Sequence, residues 1–280
     1  MRTLSRQELA DSDRYSFCRA ADDLIDESPS LSAATDACAL LEQFLDIAYR
    51  HPRTPPRQNH LLKSYVEKVF PPYYHAALLS LPVHRLPREP LDGLLAGFRS
   101  DLNFPALNTN PSAGEFPIQT GADLHLYGER VAGTVGQMFT TLVLSRHPVS
   151  NDHSALLGSA YIMGTALQYV NIARDVEKDA DIGRVYIPAT WMNPLLVLKD
   201  PKTAAVQVRE RLLGAADEMY RESRQAIEEL PIEARAGARV AVEAYMDIGR
   251  RLRGGEFQSG GNGAVGKASR VWRAWKVMQE

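Results

Sequence analysis

Apolar residues recur every three or four positions in nearly every segment that lies between proline or glycine breakers, and alternating valine- and isoleucine-rich runs are scarce. This pattern predicts an all-α protein. Helices are expected over about 14–27, 31–50, 56–70, 72–80, 88–102, 122–146, 153–180, 202–228, 231–254 and 265–278. Prolines such as Pro29, Pro55, Pro71, Pro188, Pro201 and Pro231 stand at or near the joints, as a fixed φ and a missing N–H require. Two stretches rich in Gly, Pro, Asn and Ser, 103–121 and 253–266, read as loops. The chemistry begun before the first loop continues after it, so one domain over 1–280 is expected.

Within the helix expected over 153–180, Gln168, Asn171, Asp175 and Asp179 stand at i, i+3, i+7 and i+11 and form one stripe. Met163, Ala166, Leu167, Val170 and Ala173 make the helix apolar nearly all round, so it should be buried. A buried row of amides and carboxylates is costly unless an ion, a basic partner or a water-filled cavity receives it. A ligand-facing role follows. In 18–27, CRAADDLIDE, the residues Arg19, Asp22 and Asp26 share a narrow arc. Carboxylates one turn apart suit Mg²⁺, although a solvated acidic face has the same composition. Acting together, the two helices could clamp Mg²⁺ ions around a diphosphate and make it a leaving group. A di-iron bundle is disfavoured, because none of the seven histidines has a glutamate three positions before it.

Composition narrows the choice. The 280 residues are 45% hydrophobic, with 32 basic and 34 acidic side chains and a net charge of −2, which excludes disorder and bulk-charge affinity for nucleic acid. Two cysteines, Cys18 and Cys38, support neither a disulfide framework nor a four-cysteine zinc site. No secretory pattern opens the chain and no window of 18 uninterrupted apolar residues occurs, so a cytoplasmic protein is expected, with peripheral membrane contact allowed for an apolar product.

Three further features carry open readings. The helical run around Gly128, Gly133 and Gly136 gives up about 1 kcal/mol per glycine against alanine, which implies close approach by another helix or by an apolar substrate. Tyr127, Val131 and Thr134 are expected to share its exposed stripe. Arg184, after Gly183, could either reach a phosphate with its forked donors or cap a helix C-terminus. Tyr245 stands among Val242, Ala244 and Ile248 and reads by itself as a core tyrosine.

The segments CRAADDLID, YGERVAGTVG, QYVNIARDVEKDADIGRVYIP and AVEAYMDI, in this order, resemble the squalene and phytoene synthase family of head-to-head trans-isoprenyl diphosphate synthases, closest in wording to its fungal phytoene synthases. The resemblance runs from about residue 15 to the C-terminus. It implies an isoprenoid-synthase-type helical bundle around a central cavity, with two aspartate-rich motifs facing each other. By the same resemblance Asp22, Asp26, Asp175, Asp179 and Tyr127 are catalytic. Asp22, Asp26, Asn171, Asp175 and Asp179 hold Mg²⁺, for which Mn²⁺ could substitute. Arg19, Gln168, Arg184 and Tyr245 bind substrate, and Tyr127 assists proton handling.

The implied reaction joins two geranylgeranyl diphosphates through a cyclopropylcarbinyl diphosphate to phytoene. It ends in proton loss, so no NADPH is expected, and neither nucleic acid nor an obligate protein partner is implied. Two alternatives remain: a class I terpene cyclase acting on one C15 or C20 prenyl diphosphate, and a non-catalytic relative. Only 17 residues precede Cys18, so the family's first helix is expected to be missing or altered. Replacing Asp22 or Asp175 with alanine is expected to abolish diphosphate release while leaving the fold intact.

Overall fold

The computed structural model describes residues 17–106, 109–146 and 153–255. Among the described residues there is no β-strand. The helices are α1 (Phe17–Asp26), α2 (Leu31–Arg50), α3 (His60–Val69), α4 (Pro72–Leu78), α5 (Glu89–Asp101), α6 (Gly121–Gly128), α7 (Thr134–Arg146), α8 (Ser154–Asp181), α9 (Pro194–Lys199), α10 (Pro201–Ser223) and α11 (Ile232–Arg253). The helix expected over 265–278 and residues 1–16, on which the expectation of a missing or altered first helix falls, lie outside the described residues.

Where the helical pattern and the structure differ, side-chain caps or a local change of helix type mark the difference. The expected 56–70 helix is divided at Asn59, whose side chain accepts from the Leu62 N–H at 3.1 Å and starts α3 afresh after a 3₁₀ turn, Pro56–Gln58. Helix α9 is too short to show a period, and its marks are Pro194 at the first turn and an Asn193 side chain accepting from Leu195 N–H at 3.0 Å. The 202–228 run tightens from α-helix into a 3₁₀ turn over Arg224–Glu229. Between α6 and α7 one π-helical turn, Glu129–Gly133, adds a residue to the register.

The chain divides into two compact units, Met1–Phe98 and Arg99–Glu280. In the first, α1 packs on α2 and α4, and α2 on α3. Its core holds Leu41, Leu45, Leu62, Leu78 and Leu91, with Phe17 stacked on Phe44 at 5.6 Å. In the second unit α8 is central, packed by α10, α7, the π turn, α11 and α6. Its core sets Val170, Ile172, Ala173 and Val176 among Leu212, Leu213, Ala216 and Tyr245.

Candidate active site

Because α8 is apolar nearly all round, its polar stripe is carried into the interior of the second unit. Asn171 is 3%, Asp175 8% and Asp179 2% exposed, so the burial expected from the pattern is met; Gln168 is half-buried. The Asn171 Nδ2 donates to Gln168 Oε1 at 3.2 Å, which leaves the buried Asn171 Oδ1 without a hydrogen bond. A buried acceptor left so costs about 1–3 kcal/mol. It is a hard oxygen donor beside two carboxylates on the following turns, a set that suits Mg²⁺ once water and phosphate oxygens complete the coordination. Among the described residues no three His, Cys, Asp or Glu side chains gather closely enough to hold a metal by themselves.

The stripe also has a partner that the spacing did not reveal. Arg174 Nε donates to Asp175 Oδ1 at 2.9 Å and Nη2 to Oδ2 at 2.6 Å. Burial disfavours the Arg174 charge, but the carboxylate it grips outweighs that and strengthens its basicity, with Tyr245 and Asp179 adding to the effect. Neighbours at i and i+1 do not share a helix face, so only the bend of the long arginine side chain makes this pair. Tyr245 is buried in the core, 3% exposed, near this guanidinium.

Helix α8 ends in a Schellman motif. Gly183 has φ +79°, its N–H bonds Ala180 O at 2.9 Å, and the Arg184 N–H bonds Asp179 O at 2.8 Å. The backbone therefore does the capping, and the Arg184 side chain extends instead to Asp101, with Nη1 4.0 Å from Oδ2. Asp101, at the end of α5, also accepts from Tyr186 OH at 2.7 Å and from Tyr127 OH at 3.2 Å. The two phenol rings stack at 4.7 Å, and Phe104 meets Tyr186 edge-on at 5.1 Å. Burial first, then the Asp101 charge, push both phenols well above 10.

Tyr127 and Thr134 are buried rather than exposed, and Val131 is half-buried. The cause is helix packing, which settles the two readings of the glycines. A Cβ on Gly136 would lie 2.2 Å from the Ala160 carbonyl oxygen, and one on Gly164 2.1 Å from that of Ala132, so α7, the π turn and α8 meet backbone to backbone.

In the first unit the acidic arc of α1 is rearranged. Arg19 donates from Nε to Asp23 Oδ2 at 2.9 Å, pairs with the same carboxylate through Nη2, and stands 3.5 Å from Asp22 Oδ2. Asp23, absent from the expected arc, is buried, and that burial raises its carboxyl against the pull of Arg19. Asp22 is half-buried and Asp26 exposed.

An all-helical fold carrying acidic and amide oxygens on the face of a buried helix defines a class, and the chain belongs to the squalene/phytoene synthase family, whose profile matches residues 12–273. Its curated relatives include the bifunctional lycopene cyclase/phytoene synthase of Gibberella fujikuroi, 42% identical over 95% of this chain and 46% of that protein. The protein of the same description from Phaeosphaeria nodorum is 43% identical over 95% of this chain and 45% of its own length. The chain thus spans about half the length of the curated relatives it matches. Among solved structures, a dehydrosqualene synthase in complex with ligand aligns with a TM-score of 0.60 at 24% identity, covering 98% of this chain and 86% of that one. The squalene synthase HpnC from Alicyclobacillus acidocaldarius aligns with a TM-score of 0.57 at 21% identity, covering 85% and 79%. The expected isoprenoid-synthase helical fold is therefore the fold observed.

Proposed function

We propose that this chain is a prenyltransferase that joins two geranylgeranyl diphosphates head-to-head to give phytoene, with the two compact units acting as one synthase domain. The observation that carries the diphosphate chemistry is the buried stripe of Asn171, Asp175 and Asp179 with its unsatisfied amide oxygen. Relatives described as bifunctional lycopene cyclase/phytoene synthases, at 42–43% identity, support phytoene as the product. The family match runs across the boundary between the units, which supports one domain.

In this reading Asp22, Asp26, Asn171, Asp175 and Asp179 hold Mg²⁺, or Mn²⁺ in its place. Mg²⁺ held there would neutralise diphosphate charge and make it a competent leaving group. Arg19 and Arg184 bind diphosphate oxygens, the latter from the turn that the Schellman motif closes. Gln168 and Tyr245 line the substrate site. The first substrate loses its C–O bond and becomes an allylic cation, which the double bond of the second attacks. The resulting cyclopropylcarbinyl diphosphate ionises in turn, and the rearranged cation loses a proton to give the central triene. Tyr127, held as a neutral phenol, assists that proton loss. No NADPH takes part in this sequence. Among the described residues no helix is long and apolar enough to cross a membrane. A cytoplasmic site with peripheral membrane contact suits release of an apolar product.

The test is product analysis by chromatography and mass spectrometry after incubation with Mg²⁺ and, separately, the C15 and C20 prenyl diphosphates, with a chelator control. A C40 triene-centred hydrocarbon from the C20 substrate is the expected result. A cyclic C15 or C20 product would move the function to terpene cyclisation, and absence of any product would overturn it.

A further inference from the structure

We infer that Asp101 is a positioning residue for the condensation: it fixes the hydroxyls of Tyr127 and Tyr186 as proton acceptors toward the reacting chain and anchors the Arg184 guanidinium beside them. The inference rests on the proposed prenyl-transfer reaction and deepens it.

Four observations converge on this carboxylate. Asp101 is the last residue of α5, where the negative end of the helix dipole disfavours an acidic side chain, so its placement is not explained by helix stability. Its side chain is only 11% exposed. Its two oxygens are approached by two different phenols, Oδ1 by Tyr186 at 2.7 Å and Oδ2 by Tyr127 at 3.2 Å, with Arg184 Nη1 4.0 Å from Oδ2. The phenol rings lie stacked 4.7 Å apart with 28° between their planes, so both hydroxyls come to one carboxylate from the same side.

A phenol carries one proton and two acceptor lone pairs. Each of these two commits its proton to Asp101, so toward anything else it acts through its oxygen, made more electron-rich by a charge-assisted bond. Such an oxygen stabilises a nearby carbocation. It can also take the proton that the final cation loses: the substrate C–H bond breaks, its electron pair becomes the new C=C bond, the proton joins the Tyr127 oxygen, and the phenol's own proton passes to Asp101. The phenol is unchanged and the carboxylate becomes a carboxylic acid, so charge and atoms balance without a further reactant.

The experiment compares the wild-type chain with Asp101→Asn, Tyr127→Phe, Tyr186→Phe and the Asp101→Asn/Tyr127→Phe double variant, using the C20 prenyl diphosphate and Mg²⁺. Diphosphate release and hydrocarbon yield are measured on the same samples, and urea unfolding is followed by circular dichroism. In Asp101→Asn the hydrocarbon formed per diphosphate released is expected to fall at least tenfold, a larger loss than that of diphosphate release itself, with the double variant no worse than the single ones. A merely structural role would lower release and hydrocarbon together. Unchanged hydrocarbon per diphosphate in Asp101→Asn, parallel loss of both, or multiplicative losses in the double variant would overturn the inference. If Asp101→Asn does not fold, Asp101→Glu replaces it and the same ratio decides. Wild-type chain that forms no hydrocarbon would overturn the parent function and this role with it, a result distinct from a defect confined to the variants.

Discussion

Arg174 closes on the carboxylate of Asp175, the residue that follows it in the chain, through two hydrogen bonds of 2.9 and 2.6 Å. Both side chains are about nine-tenths buried, and Arg174 Nη1 has no acceptor of its own. Removing Asp175 would therefore strand a buried guanidinium. The expectation that Asp175→Ala leaves the fold intact does not hold for this geometry: a loss of about 3 kcal/mol in urea unfolding is expected. Asp22→Ala, at a half-exposed pair with Arg19, should lose no more than about 1 kcal/mol. An Arg174→Leu/Asp175→Leu double variant should recover most of the stability and still release no diphosphate. Equal stability losses at Asp22 and Asp175 would contradict the pairing.

The glycine contacts of α7 and α8 give a sharper stability contrast. Gly136→Ala and Gly164→Ala each drive a methyl group to about 2 Å from a carbonyl oxygen, so each should destabilise the protein by roughly 3 kcal/mol or prevent soluble expression. In Gly214→Ala, inside α10, the new methyl meets nothing within 4 Å, and a gain of about 0.5–1 kcal/mol is expected from helix propensity. Thermal melting of the three variants checks both signs.

Stability should fall on the alkaline side. Tyr127 and Tyr186 have folded-state pKa values raised well above the ordinary 10 by burial and by Asp101. Below pH 10 both states carry the protons and the contribution is fully present. As pH rises past 10 the unfolded chain ionises first, and the contribution is lost progressively toward the folded pKa. The urea midpoint should drop above about pH 10, and the Tyr127→Phe/Tyr186→Phe variant should drop less steeply. An identical slope in both proteins would contradict this.

Cys18 offers a probe that needs no substrate. Burial, then the neighbouring Asp22 charge, push its thiol up to about 12. Relative to an ordinary thiol near 9.0, the thiolate fraction at pH 8 is then lower by roughly 10³-fold. Alkylation of Cys18 by iodoacetamide at pH 8 should be correspondingly slow and should accelerate several-fold in Asp22→Asn. Rapid alkylation of folded wild-type protein at Cys18 would show that the thiol is not held as described.

Much of this architecture is present in the order of residue types. The apolar period of 153–180 required a buried helix, and the i, i+3, i+7, i+11 spacing required Gln168, Asn171, Asp175 and Asp179 to share one of its faces, because 3.6 residues per turn leaves no other outcome. Gly183 before Arg184 marked the end of that helix for the same local reason. Tertiary structure decided what no local period encodes. Asp101 lies 26 residues from Tyr127 and 85 from Tyr186, and only folding brings one carboxylate to both hydroxyls. The single π turn at Glu129–Gly133 and the backbone contact of Gly136 with Ala160 turned an expected exposed stripe inward. Asp23 rather than Asp22 became the main partner of Arg19, and Arg174 reached Asp175, because the reach of a guanidinium is set by its flexible stem and by the burial around it. Helical periodicity fixes which face a residue occupies; the packing of other helices on that face fixes what the residue meets there.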